Sequence, residues 1–226
     1  MRSFLWLLVS SFMMAIPNLA SGQSIDEKLA EVEQQLKSGQ KNVSDILQDD
    51  ALMPLHSLTR FRDLIKLHAP VGSITIVSPT EVGTPITVRG TILDNKKMPV
   101  RKALLYLYQT SDAGWYSDTA AHILVDEGDM RHARLFGYVW TDDRGQFTLK
   151  TIKPNGSPKS SLAAGIKIQI WDQAMNPLQG PAELQFEDDP RMTWHRKKQS
   201  LEDGIPVSKN TGSLSDPVYE YLIVVK

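Results

Sequence analysis

The segment TDDRGQFTLKTIKP (residues 141–154) reads as a turn followed by a strand. Its Asp-Asp-Arg-Gly sequence is a signal for a tight turn, with Gly145 in the position that requires a positive φ. Apolar and polar residues then alternate, as they do in a half-buried β-strand. The segment therefore predicts a tight hairpin whose second strand lies within residues 145–152.

Similar short runs recur on both sides of this segment, and turn residues separate them. No helical periodicity intervenes between the runs, so the pattern predicts an all-β sandwich. The predicted strands are residues 73–78, 85–93, 103–110, 133–141, 145–152, 165–171, 182–186 and 218–226. Residues 191–216 are long and polar, and we predict a loop there that is either functional or loosely ordered.

Two short helices are predicted ahead of the strands. Within residues 25–37, apolar residues recur at intervals of four, three and four, and Gly39 ends the pattern. A second helix is predicted over residues 58–67, before Pro70. The first helix is too short to be stable alone, so it docks on the domain, pairs with another copy of the chain, or frays. We assign residues 23–72 to an N-terminal helical segment and residues 73–226 to the sandwich domain.

The first 22 residues resemble a secretory signal peptide. Arg2 precedes an apolar core at residues 4–16, and small residues lie just before Gln23. We therefore predict export to the periplasm or the extracellular space, with an uncleaved anchor as the alternative. The apolar core is short for a membrane span, and no later stretch approaches one. The chain contains no cysteine and carries a net charge of −1, which argues against disulfides and against a nucleic-acid partner.

Three blocks of the sequence, in order, resemble the intradiol ring-cleavage dioxygenases, the family of catechol and protocatechuate dioxygenases. The first block, at residues 86–118, contains Tyr-Gln-Thr and Gly-Trp-Tyr; the second, at residues 132–158, contains the opening segment. The third, at residues 181–193, contains Glu-Leu-Gln-Phe and Asp-Asp-Pro. The resemblance implies an intradiol-dioxygenase-like β-sandwich, in agreement with the strand pattern.

The resemblance also implies a ferric site built from two tyrosines and two histidines, because Fe(III) is a hard ion that prefers anionic oxygen ligands. Tyr116 matches the first tyrosine, but Ser157 stands at the position of the second. Gly165 and Lys167 stand where the two histidines belong. With only one ligand retained, we expect no cofactor, or Fe(III) if the family activity persists.

Other family positions have changed as well. Leu162 stands at the position of an arginine, and Glu183 at that of a glutamine. Lys167 is either a solvated lysine on a strand face or a cation in the vacated pocket, where Glu183 or Asp118 would meet it. The candidate pocket residues are Trp115, Asp118, His122, Ser157, Leu162, Gly165, Lys167 and Glu183. Trp115 and Trp171 are alternatively core residues.

Three functions remain open at this point. In the first, the chain is a non-catalytic member of the family that binds a small aromatic or anionic ligand, or a protein. Alternatively, it is an active oxygenase with an altered non-haem iron site, for which His122 and His132 could join Tyr116 and Asp118. As a third possibility, it is a structural module that forms homo-oligomers through the helix at residues 25–37.

Overall fold

Two sheets form the centre of the computed structural model, which describes residues 24–117, 133–158 and 160–226. One sheet has the strand order β1-β5-β2-β9 and the other β4-β3-β6-β7-β8. The strands are β1 Ser73–Thr75, β2 Pro85–Leu93, β3 Leu104–Gln109, β4 Leu135–Trp140, β5 Gln146–Ile152, β6 Gly165–Trp171, β7 Glu183–Phe186, β8 Val207–Ser208 and β9 Val218–Val224. The helices are α1 Ile25–Ser38, α2 Val43–Leu47, a 3-10 helix Asp50–Leu55, α3 Thr59–Leu67 and α4 Trp194–Glu202.

The sandwich predicted from the strand pattern is confirmed at this coarse level. On β6 the three isoleucines Ile166, Ile168 and Ile170 are buried in the core shared with the four-stranded sheet. Both sheets are nevertheless mixed, since β1–β5, β2–β9 and β7–β8 pair in parallel. Helices also contribute to the core, so the fold contains more than the all-β sandwich alone.

The turn at residues 141–145 forms as predicted, but the hairpin does not. Gly145 has a φ of 71°, and its N–H donates to the Asp142 carbonyl at 3.0 Å. The strands on either side of this turn, β4 and β5, belong to different sheets. The Gly145 carbonyl accepts a hydrogen bond from the N–H of Ile92 on β2 at 2.8 Å, so the turn carries the chain across the sandwich.

Helix α3 packs on the outer face of the five-stranded sheet at β4, whereas α2 contacts β1 of the other sheet. From α3, Phe61 packs against Phe136 of β4 with ring centroids 6.5 Å apart, and the Arg62 guanidinium lies 3.9 Å from the same ring centroid. Leu29 and Val32 of α1 are buried in the same core. The helices predicted over residues 25–37 and 58–67 are confirmed, with ends shifted by one residue at most. The division into domains at residue 73 stays a prediction.

The prediction of a continuous loop over residues 191–216 is wrong, because α4 and β8 lie within it. The Thr193 side chain caps α4 by accepting a hydrogen bond from the Arg196 N–H at 3.3 Å. Only Ser200 of this helix is buried, so α4 has no apolar stripe by which its sequence would reveal it.

Several sequence predictions fall outside the described residues. They concern the export signal at residues 1–22 and the site candidates Asp118, His122 and His132. Within the three described ranges, no helix combines the length and the apolar character needed to cross a membrane.

Candidate functional site

Most of the predicted pocket residues line one cavity of about 500 Å³ beside β6. Those that line it are Tyr116, Ser157, Leu162, Gly165, Lys167 and Glu183. Trp115 does not belong to its wall among the described residues. The cavity thus brings together the four positions at which the family resemblance places the metal ligands.

Strand pairing explains why these positions meet. Gly165 and Lys167 are two residues apart on β6, so they face the same side of the sheet. The adjacent strand β7 is antiparallel to β6, and its register places Glu183 directly opposite Lys167. Tyr116 follows β3 and Ser157 follows β5, so loops from both sheets close the cavity.

An ion pair between Lys167 and Glu183 crosses this wall of the cavity. The Lys167 ammonium donates a hydrogen bond to Glu183 Oε2, and the Gln185 side-chain amide donates to Glu183 Oε1. The side chains of Lys167 and Glu183 are only 29% and 14% exposed, so water screens their attraction incompletely. Lys167 is therefore a paired cation at the cavity wall rather than a solvated surface lysine.

Gly165 provides the space for this arrangement. A Cβ atom on Gly165 would lie 3.1 Å from the Leu184 carbonyl oxygen and 3.3 Å from Cδ and Oε2 of Glu183, closer than most such contacts in proteins. A histidine in its place would push against the carboxylate that pairs with Lys167. The glycine, the lysine and the glutamate thus form one packed unit.

A buried network connects this unit to α4. The Ser200 hydroxyl donates to Gln185 Oε1 at 2.6 Å, and Gln185 in turn contacts Glu183. The Arg196 guanidinium of α4 donates to the carbonyls of Ser161 and Arg191. Helix α4 lines the cavity with Arg196, Gln199 and Ser200, residues that the sequence analysis missed because it placed them in a loop.

Tyr116 also lines the cavity and lies next to a second tyrosine. The ring centroids of Tyr116 and Tyr108 are 6.2 Å apart, and the Tyr116 carbonyl accepts the Arg134 N–H at 2.8 Å. Burial raises the pKa of Tyr108 above its ordinary value, and the neighbouring Tyr116 raises it further. Tyr108 therefore stays a neutral phenol that can donate or accept hydrogen bonds.

A family model described as Dioxygenase matches residues 68–188, more than half of the chain. The chain belongs to this family. This match confirms the family resemblance seen in the sequence. No curated protein sequence matches the chain.

The solved structures similar to this dioxygenase-family chain have low sequence identity. The dioxygenase domain of a dioxygenase carbohydrate-binding protein fusion from Streptomyces sp. SirexAA-E is 20% identical, with a TM-score of 0.50 over 69% of this chain and 88% of that one. Catechol 1,2-dioxygenase from Acinetobacter sp. ADP1 is 14% identical, with a TM-score of 0.49 over 90% of this chain and 79% of that one. 3-Chlorocatechol 1,2-dioxygenase from Rhodococcus opacus 1CP is 20% identical, with a TM-score of 0.48 over 89% of this chain and 89% of that one. The first of these supports the shared fold.

The described side chains do not fit the ferric ion of the intradiol dioxygenases. Of the four ligand positions only Tyr116 offers a phenol, while Ser157 offers an alcohol whose proton is far harder to remove. Gly165 has no side chain, and Lys167 presents a paired cation that repels a metal ion. Among the residues with described positions, no group of three or more His, Cys, Asp or Glu side chains could hold a metal ion.

Proposed function

We propose that this chain is an exported, catalytically degenerate member of the intradiol dioxygenase family that binds a small ligand in the cavity beside β6. The Lys167–Glu183 ion pair carries this proposal, because it occupies the wall from which the family's histidines would reach the metal. Replacing both histidines with a glycine and a paired lysine removes two neutral nitrogen donors and adds a positive charge.

The cavity supports binding by its size and by the chemistry of its wall. Its volume of about 500 Å³ lies within the range of about 300–1,000 Å³ that is usual for small-molecule sites. Hydroxyl and amide side chains line it beside the Tyr116 ring, so it offers both hydrogen-bond donors and acceptors. We infer that the ligand is a small hydroxylated or aromatic molecule.

An anionic ligand would compete with Glu183 for Lys167, while Arg196, the other cation of the cavity wall, already donates to backbone carbonyls. Because the ammonium and the carboxylate already neutralise each other, a catecholate dianion would bring an unbalanced charge into the site. This charge balance argues against a dianionic catecholate and for a neutral ligand.

Export is supported by the N-terminal sequence, in which Arg2 precedes an apolar core and small residues. Under this proposal the site lies outside the cytoplasm.

Two assays on the purified protein test this proposal. Oxygen consumption is measured with catechol and with protocatechuate, after incubation with ferrous iron in air, and we expect none above the rate of the iron-only control. Ligand-observed NMR with neutral phenols and monosaccharides should detect binding that Glu183→Lys abolishes, because this change removes the carboxylate that holds Lys167 and Gln185 in place at the cavity wall. Sustained oxygen uptake with ring-cleaved product would overturn the degenerate assignment, and the absence of any binding would overturn the ligand-binding assignment.

A further inference from the structure

A second cavity of about 430 Å³ adjoins the first along β6. Lys167 lines both cavities. Its partner Glu183 lines the first cavity and is adjacent in sequence to Ala182, which lines the second. Tyr108 lines the second cavity and lies 6.2 Å, centroid to centroid, from Tyr116 of the first. The ion pair therefore stands at the junction of two adjoining spaces.

The two cavities differ in the character of their walls. The second is lined by aromatic and apolar side chains, together with the amides of Gln169 and Gln179. Its aromatic and apolar members are Tyr108, Ile168, Ile170, Trp171, Pro177, Leu178, Pro181 and Ala182. A wall that combines ring faces with amides suits a ligand unit with one apolar face and a rim of hydroxyl groups.

The charges at the junction are balanced, which selects a neutral ligand. In the first cavity Lys167 pairs with Glu183, and the Asp203 carboxylate accepts two hydrogen bonds from Gln199, both at 3.1 Å. The Arg196 guanidinium donates to backbone carbonyls. Among the described residues that line the second cavity, only Lys167 is charged.

The backbone at this wall is already paired, which argues against an extended peptide as the ligand. A peptide that adds a strand needs a free sheet edge. Here the Ile168 N–H donates to the Ala182 carbonyl at 3.1 Å, and the Leu178 N–H donates to the Ile170 carbonyl at 2.9 Å. Residues 178–182 of the same chain thus already pair with the part of the β6 edge that β7 does not cover.

We propose that the two cavities form one elongated site for a neutral oligosaccharide, with one sugar unit in each cavity and Lys167 at the junction. This inference rests on the proposed function, since it extends the ligand that the first cavity binds. Hydroxyl and amide side chains hold the first unit, and the second unit packs its apolar face against Trp171.

The test measures how affinity depends on the length of the oligosaccharide. Titration calorimetry with neutral gluco- and xylo-oligosaccharides of increasing length should show about a tenfold gain in affinity between the monosaccharide and the di- or trisaccharide in at least one series. Trp171→Ala and, independently, Gln169→Ala should reduce this gain while monosaccharide binding persists. Gln169 is exposed, so its variant folds even if the tryptophan variant does not.

Trp140→Ala is the matched control. Trp140 lies across Leu104 from Trp171 in the same sheet and is similarly half-buried, but it lines neither cavity. Its removal should leave the length dependence unchanged. An affinity that does not grow with length, or growth that both cavity variants retain, would overturn the elongated site; persisting monosaccharide or phenol binding would leave the proposed function intact. Binding of extended peptides in place of oligosaccharides would also overturn it.

Discussion

At the scale of single residues, three substitutions relative to the family pattern depend on one another. Gly165 leaves space for the Glu183 carboxylate, and that carboxylate pairs with Lys167. Restoring one histidine would therefore leave an unmatched charge or a close contact at the other positions. The three residues therefore form one interdependent group in the cavity wall.

The first prediction concerns the strength of this ion pair. Lys167→Met should lower the free energy of unfolding by about 1–3 kcal/mol, because it leaves the largely buried Glu183 carboxylate without its cation. The double variant Lys167→Met/Glu183→Met should recover part of this loss. Urea unfolding measures all of these changes.

Lys198→Met is the control for this cycle, since the Lys198–Glu202 pair on α4 is solvent-exposed and 3.8 Å apart. We expect it to change the stability by less than about 0.5 kcal/mol. If Lys167→Met had an equally small effect, the pair would be screened by water and would not organise the site.

The second prediction concerns His56, which is 1% exposed beneath the N-terminal helices. Its Nδ1 lies 2.6 Å from the Arg134 carbonyl, and its ring stacks on Phe61. Burial lowers the pKa of His56 from 6.5 to about 4, a net shift to which the cations of Arg62 and Arg134 contribute and which the hydrogen bond to the Arg134 carbonyl opposes. The folded protein therefore holds this ring neutral.

The pH dependence follows from the sign of this shift. Below about pH 6.5 the unfolded chain protonates His56 while the folded chain does not until about pH 4, so stability falls across this interval. The loss amounts to about 3 kcal/mol at 1.36 kcal/mol per pKa unit, and none is expected above pH 7. Chemical denaturation of the wild type and of His56→Asn from pH 7.5 to 4 measures it; equal slopes for the two proteins would refute it.

At the scale of elements, α1 tests whether the N-terminal helices belong to the folded unit. Leu29 is 3% exposed, whereas Ile25, one turn earlier in the same predicted stripe, is 57% exposed. Leu29→Ala should cost about 2–4 kcal/mol of stability through the cavity it leaves, and Ile25→Ala should cost less than about 0.5 kcal/mol. Thermal and urea unfolding compare the two, and similar small effects would mean that α1 does not dock as described.

Self-association through α1 remains a prediction. Because Leu29, Val32 and Leu36 are buried in the chain's own core, a contact between copies would have to use exposed residues of the helix, of which Ile25 is the large apolar one. Light scattering of the wild type and of Ile25→Asp tests this. A dimer that Ile25→Asp dissociates would support the contact, and a monomer in both cases would contradict it.

The sequence predicted elements well where the physics is local. The alternation on β6 and the φ of Gly145 depend on adjacent residues, and both are found in the structure. The pairing of β4 and β5 was predicted wrongly because partners in a sheet are chosen by distant contacts. Helix α4 escaped prediction because its contact with the core is made by Ser200, a polar side chain.

The sequence located residues that share one cavity but not the contacts between them, and the role of that cavity as a functional site stays a prediction. Resemblance to the family pattern identified the positions of Tyr116, Ser157 and Lys167, which all line the cavity. The contribution of Gln185 and Ser200, and the space that Gly165 leaves for Glu183, depend on packing between distant segments. Neither could be inferred from spacing along the chain.

At the scale of the whole molecule, export predicts a defined N-terminus. If the chain is expressed from Met1 in a host with a secretory pathway, the mass of the purified protein should correspond to a chain that begins at Gln23. Intact mass spectrometry of the exported fraction measures this directly. An uncleaved chain retained in the membrane fraction would instead support the anchor alternative.

The central claim is that an intact intradiol dioxygenase fold here surrounds a site that does not hold iron in the family manner. Its most direct test is the iron content and visible spectrum of the purified protein after incubation with ferrous iron in air and desalting, with Tyr116→Phe as the control. We predict substoichiometric iron and no tyrosinate-to-Fe(III) charge-transfer band in either protein. Stoichiometric iron with such a band in the wild type, lost in Tyr116→Phe, would contradict the account.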